Sequence, residues 1–311
     1  MSACARCNKN KIARLQARAR SGSFADVILL RLAAIAAFSL AVLVVASPAA
    51  VPMRIVSLAP SVTETLFALN AGPSVVGVSD YCDYPPEARS LPRVGSFLTP
   101  NLEAIIAARP TLVIGLWLSS DVRQIRALKS MGYQVLLVRD GSLEEIDGSI
   151  EAVGARTGRE TEAHHLVAQI RGQIAAVRER LATVKSERAL MLVGHQPIVA
   201  VGRGTYLDEL LQIAHAENIA APANEEWPHL SMEYIIAMRP EVILDGSMGN
   251  DPSSSSSFWE KYPTIPAVRE RRVFGYPENP ILHSGPRVGQ SLETIARMIH
   301  PEAWHDAGAN K

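Results

Sequence analysis

Cysteine is scarce in this 311-residue sequence, which has three, at positions 4, 7 and 82. Cys4 and Cys7 have C-x-x-C spacing, but they lie in a basic N-terminal stretch that reads as removable, so no redox or metal site is expected there. Cys82 is then left alone. The remainder can form no internal disulfide, and Cys82 reads as a passive loop thiol. Catalytic signatures are missing too. There is no G-x-S-x-G elbow, phosphate loop or dinucleotide fingerprint, and Gly202-Arg203-Gly204 is too small a fragment to count as one. No spacing of His, Cys, Asp and Glu gathers the several ligands that a bare metal ion needs. Excess positive charge is also absent. The first fifty residues hold seven of the 31 Lys and Arg and one of the 31 Asp and Glu, which leaves 24 basic against 30 acidic residues. A mildly acidic remainder gives no reason to expect nucleic-acid binding.

Residues 1–50 differ from the rest. Basic residues dominate up to Arg31, and the uncharged run LAAIAAFSLAVLVVASPAA fills 32–50. This pattern predicts a secretory signal cut near Ala49 or Ala50, and the long basic region allows a downstream start. The apolar run is also close to membrane-spanning length, so an uncleaved anchor is the rival reading. No lipid-anchor cysteine follows it. Either way the globular part is exported.

One short stretch is used twice. NLEAIIAARPTLVI (101–114) aligns without a gap on SMEYIIAMRPEVIL (231–244), matching Glu103 with Glu233 and Arg109-Pro110 with Arg239-Pro240. Each copy predicts a helix capped by Asn101 or Ser231, stopped at the proline and followed by a buried strand. A weaker echo pairs IVSLAPSVTETL (55–66) with IVAVGRGTYLDEL (198–210). Two copies so far apart suggest two similar α/β lobes rather than a solenoid.

In chain order, strand 54–58 leads into a helix for which Ser61 and Glu64 read as a capping box. Further strands are expected at 75–78, 111–115, 133–138, 189–193, 198–201 and 272–276, alternating with helices. Residues 159–187 carry one glycine and no proline, with Leu166, Ile170, Ile174, Val177 and Leu181 as one stripe. They predict a single helix about 40 Å long that bridges the lobes. The expected domains are a signal over 1–50, a first α/β lobe over 51–157, the bridging helix over 158–187 and a second lobe over 188–311. Alternating strands and helices argue for parallel sheets, whose ligands lie at the strand carboxyl ends. Aromatic and histidine residues follow those strands: Tyr81, Tyr84, Phe97 and Trp117 in the first lobe, His195, Trp227, His229 and His283 in the second. Facing loops make a cleft suited to a large, flat, partly apolar ligand.

RIVSLAPSVTETLFAL, GVSDYCDYPPEA, NLEAIIAARPTLVI, the long helix and WPHLSMEYIIAMRPEVIL together resemble the periplasmic substrate-binding proteins of ABC importers. The likeness covers roughly 53–300. Its cobalamin-binding members match best, and haem- and iron-siderophore-binding proteins are relatives. It implies two Rossmann-like lobes joined by one rigid helix, a cleft between them, and delivery of the ligand to an inner-membrane permease and its ATPase. It implies no catalysis, and cobalamin as cargo rather than cofactor, with haem or a ferric siderophore as the alternative. By the same resemblance Tyr81 and Trp227 pack against the corrin, and Phe97 stands where those members have tryptophan. Glu103 and Glu233 dock on permease arginines, although an acid near a helix start also simply favours the helix dipole. Tyr84 and Trp117 read equally as ligand walls or packing. His195, His229 and His283 are candidate axial ligands to a cargo metal, or merely solvated groups. Arg287 meets an anionic group or caps a helix. The loop NPILHSGPR departs from the cobalamin pattern.

Overall fold

A computed structural model describes residues 52–119, 122–246, 258–276 and 278–304. The expected signal over 1–50 and the polar loop over 247–257 lie outside the described residues. Everything below concerns the unit Met53–Lys311.

The first sheet is built from β1 (Ile55–Ser57), α1 (Pro60–Ala68), β2 (Val75–Val78), α2 (Leu102–Ala107), β3 (Leu112–Leu116), α3 (Arg123–Ser130), β4 (Val135–Val138) and α4 (Leu143–Thr157). Its strands are all parallel, in the order β2-β1-β3-β4. The long helix α5 (Glu160–Arg180) follows. The second sheet then uses β5 (Glu187–His195), β6 (Ile198–Ala200), α6 (Tyr206–Ile213), β7 (Ala216–Asn218), α7 (Met232–Met238), β8 (Val242–Asp245), α8 (Pro266–Arg269) and β9 (Val273–Gly275). Helices α9 (Glu278–Ile281) and α10 (Val288–Ile299) complete the chain. The order is β6-β5-β8-β9, with β7 on the same β5 strand.

Side-chain alternation explains why both sheets are covered on both faces. Ile55, Leu112 and Ile114 point into one large core with Ala189, Met191, Val242 and Leu244 of the second sheet. Their neighbours Val56, Val113 and Leu58 pack instead with Ile105, Ile125 and Leu128. Leu190, Leu192 and Ile243 turn to a third cluster with Ile235, Trp259 and Ile265. Helices α4, α5 and α10 run through the shared core, so α5 packs on both neighbours.

The doubled stretch behaves as its sequence predicts. Asn101 Oδ1 accepts from the Ala104 N–H at 3.0 Å, and Ser231 Oγ accepts from the Tyr234 N–H at 3.2 Å. Both copies leave the helix through an arginine with positive φ, 46° at Arg109 and 50° at Arg239. Each precedes a proline, which bars the right-handed helical region to it.

Four expectations need correction. The strand at 189–193 runs on to His195 and folds back through Gln196-Pro197, so β6 is antiparallel to β5. Two connecting residues are too few for a parallel crossover. The echo between 55–66 and 198–210 is therefore local. β1 lies inside its sheet, whereas β6 is an edge strand. The helix expected over 159–187 spans 160–180, about 31 Å, because the chain must turn to feed β5 from Glu187. Finally, α1 has no capping box. Pro60 takes its first turn after an extended Ala59, no side chain caps it, and Ser61 and Glu64 are buried within it.

Candidate ligand-binding site

Several of the singled-out residues follow the carboxyl ends of the parallel strands. Beyond β2, the Ser79 hydroxyl lies 3.0 Å from Cys82 Sγ, Thr63 Oγ1 donates to the same sulfur at 3.0 Å, and Arg93 donates to the Ser79 and Cys82 carbonyls at 2.8 Å. Burial pushes the Cys82 thiol up from its ordinary pKa, against the lowering effect of those hydroxyls. The thiol anchors the loop, and Tyr81 is left 60% exposed beside it. Phe97 is half-buried in a tight turn closed between Gly95 and Pro100. Trp117 follows β3 directly, and Arg139, at the end of the neighbouring β4, stacks on its ring at 4.5 Å.

In the second sheet, the segment 226–230 runs beside β6. The Ala200 N–H donates to the Pro228 carbonyl at 3.0 Å, the Gly202 N–H to Glu226 at 2.9 Å and the Leu230 N–H to Ile198 at 3.1 Å. A Cβ on Gly202 would stand 2.0 Å from the Glu225 carbonyl oxygen, so only glycine admits this approach. The segment carries Trp227 and His229, both exposed. His195, at the tip of β5, is held instead. Its Nε2 lies 2.7 and 2.6 Å from the two carboxylate oxygens of fully buried Asp245, and Phe258 stacks on its ring at 4.5 Å. Trp259 Nε1 donates to Asp245 as well, at 2.7 Å.

A charged cluster joins segments far apart in sequence. Glu64 on α1, with a side chain only 1% exposed, accepts from His283 Nδ1 at 2.8 Å and from Arg287 Nε at 2.7 Å. The other face of the Arg287 guanidinium lies 4.0 Å over the ring of Tyr84, which is itself exposed. Gly285, between His283 and Arg287, rests directly on Ser61 of α1. Ser284 donates to Asp140 at the end of β4. Burial raises the Asp140 carboxyl above its ordinary pKa, partly offset by Ser284 and reinforced by the charge of Glu145.

The structure thus brings Tyr84, His283 and Arg287 together around Glu64, and places Trp227 beside His229. Glu103 and Glu233 stand elsewhere, both exposed near the starts of α2 and α7. Glu233 accepts from its own backbone N–H and from Ser231, which hold its carboxyl below the usual range. Sequence reasoning missed Glu64, Asp140 and Asp245 as partners. Pro60 was the available signal for the first. A proline in the first turn starts the helix there and moves Glu64 to an inward position. Among the described residues no group of three or more His, Cys, Asp or Glu could hold a metal ion, and no helix is long and apolar enough to cross a membrane.

Comparison with known proteins shows the family. A family model described as periplasmic binding protein matches residues 55–280. The chain is 31% identical over 264 residues to the uncharacterised ABC transporter substrate-binding lipoprotein YvrC of Bacillus subtilis, covering 82% of each. It is 29% identical over 215 residues to the vitamin B12-binding protein of Salmonella choleraesuis, covering 69% of this chain and 80% of that one. Among solved structures it is similar to the apo form of the periplasmic heme-binding protein RhuT from Roseiflexus sp. RS-1. The TM-score there is 0.73 at 31% identity, covering 81% of this chain and 100% of the other. The matched region runs from β1 past β9, through both sheets and α5, and the family is a transport and binding class whose members are exported. This chain belongs to the periplasmic binding protein family, as an ABC-transporter substrate-binding protein related to vitamin B12- and heme-binding members.

Proposed function

We propose that this protein captures cobalamin outside the inner membrane and hands it to the permease and ATPase of an ABC importer. In this reading 51–157 and 188–311 are two Rossmann-like lobes, α5 is the rigid bridge between them, and the cargo lies in a cleft between the strand carboxyl ends. It performs no catalysis and needs no cofactor; the corrinoid is cargo. The observation that carries the reading is the exposure of large aromatic side chains at those ends in both sheets: Tyr81, Trp117 and Trp227. Aromatic side chains of this kind line ligand pockets, where burying a ring against a partner is favourable. Tyr84, Phe97, His229 and His283 complete the proposed wall, and Glu103 and Glu233 dock on the permease.

A second reading, haem or a ferric siderophore as cargo, draws on the polar cluster around Glu64, in the loop that departs from the cobalamin pattern. Calorimetric titration of the protein with cyanocobalamin and, in parallel, haemin separates the two. Saturable one-to-one cobalamin binding, weakened about tenfold or more by Tyr81→Ala or Trp227→Ala, is expected for the first. Haemin binding alone moves the cargo to the second. Binding of neither rejects both.

A further inference from the structure

The three histidines near the proposed cargo are not equivalent, because they differ in which ring nitrogen is already engaged. His195 gives Nε2 to Asp245, and its ring is covered by Phe258. The nitrogen left over is Nδ1, which sits next to Cβ and cannot approach the metal of a flat macrocycle without pressing the backbone against the ring. His229 is exposed, and among the described residues no carboxylate orients it. His283 has the opposite arrangement from His195. Its Nδ1 is engaged by the Glu64 carboxylate at 2.8 Å, which leaves Nε2, the unhindered nitrogen, for a further partner. The side chain is 18% exposed.

A histidine whose inner N–H is held by a carboxylate is the usual form of a metal-ligating histidine, since the carboxylate fixes tautomer and orientation and raises basicity. Arg287 adds a second hold. It grips Glu64 with two nitrogens, Nε at 2.7 Å and Nη2 at 2.5 Å, so that carboxylate is fixed in place. The same guanidinium lies against the ring of Tyr84, an exposed residue. The cluster therefore reaches from a buried acid to an exposed aromatic surface, with His283 at its edge.

We propose that His283 Nε2 is the protein's ligand to the metal of its cargo, with Glu64 and Arg287 as positioning residues. This rests on the reading of the chain as a receptor for a metal chelate, and it narrows that cargo to a planar chelate with an exchangeable axial position. In the step, the Nε2 lone pair forms a bond to the metal, the metal–water bond breaks and the water leaves intact. The Nδ1 proton stays on His283, donated to Glu64, and the metal keeps its oxidation state. Cobalt in a corrinoid and ferric iron in a porphyrin share this chemistry.

The test is visible spectroscopy of the full chain with aquocobalamin in one arm and haemin in the other. Wild type is compared with His283→Ala, with His283→Asn and with the control His165→Ala on α5. Asparagine retains an N–H where Nδ1 stood, so it keeps the bond to Glu64 and lacks the Nε2 donor. In the arm that binds, wild type and H165A are expected to move the chromophore from its water-ligated bands to imidazole-ligated ones. H283A and H283N retain the chromophore with water-ligated bands, and added free imidazole restores the shift. A bound chromophore whose spectrum is the same in wild type and H283N overturns the inference and leaves the receptor reading standing. Failure of both chromophores to bind overturns the receptor reading, and the inference with it.

Discussion

Arg287 closes on Glu64 through two hydrogen bonds although 223 residues separate them, and the carboxylate is almost wholly out of water. One partner stands on the helix after the first strand of one sheet, the other on the loop leading into α10. The pair thereby joins the beginning of the described fold to its end. A buried ion pair contributes little against an apolar replacement of both partners, but losing one partner strands a charge.

Glu64→Ala should accordingly destabilise the protein by about 3–5 kcal/mol. The double variant Glu64→Ala/Arg287→Met should recover much of that, because the second change removes the stranded charge. Urea denaturation of the two single variants and the double gives the coupling directly. A Glu64→Ala midpoint equal to wild type would mean that the pair holds nothing.

This pair also marks how far the sequence could be read. The doubled helix–proline–strand stretch was legible because its physics is local. A capping side chain, a restricted residue before proline and a short apolar strand all act within fourteen residues, and both copies form as expected. Glu64, in contrast, had a plausible local partner in the Ser61 cap and a distant one in Arg287. Nothing in the spacing says that the loop 283–287 will lie on α1. The β5–β6 hairpin was obscured for a related reason: Gly194 and His195 look like loop residues until the edge of the sheet accepts them. Aromatic residues after strands were visible by position alone, but which histidine nitrogen remains free depends on Asp245 and Glu64, supplied from elsewhere in the chain.

Asp140 provides a test with a definite sign. Its folded pKa lies above the ordinary 3.8, chiefly through burial, so the folded state binds this proton more tightly than the unfolded state. Its contribution to stability is fully present below pH 3.8 and is lost as pH rises through the folded pKa. Asp140→Asn keeps an oxygen to accept from Ser284 and carries no charge to desolvate. The variant should melt higher than wild type at about pH 7, with the difference shrinking towards zero in acid. A melting difference that stays constant across that range would remove Asp140 from the account.

Gly202 tests the geometry that presents Trp227. An alanine Cβ there would meet the Glu225 carbonyl oxygen at 2.0 Å and Pro228 Cδ at 2.6 Å, so the segment beside β6 must move. Gly202→Ala should cost about 1–3 kcal/mol of stability, and it should weaken cargo binding even though residue 202 itself offers no side chain to a ligand. Exposed Arg203→Ala, next in the chain, should do neither. Thermal melts and cargo titration on the same samples separate the two effects. Unchanged binding in a destabilised Gly202→Ala would dissociate Trp227 from the site.

Glu103 and Glu233 give the last prediction, and it has to separate docking from helix stabilisation. Both carboxylates are exposed near the N-termini of short helices, where an acid is worth about 0.3–1 kcal/mol to the helix itself. Ser231 and the backbone N–H of Glu233 already bind the second carboxylate, so its loss should cost the helix more than loss of Glu103. If helix stabilisation were the whole role, reversing the charges would alter stability and leave transport by the folded protein intact. If the two acids meet two equivalent sites on a symmetric transporter, Glu103→Lys and Glu233→Lys should leave cargo affinity as it was and each slow association with permease-bearing proteoliposomes. The double variant should be slower still. Because rim charges act mainly on the rate of encounter, the wild-type rate should fall as salt is added while the double variant's hardly responds. Equal association rates and equal salt dependence in all four proteins would assign both glutamates to their helices alone.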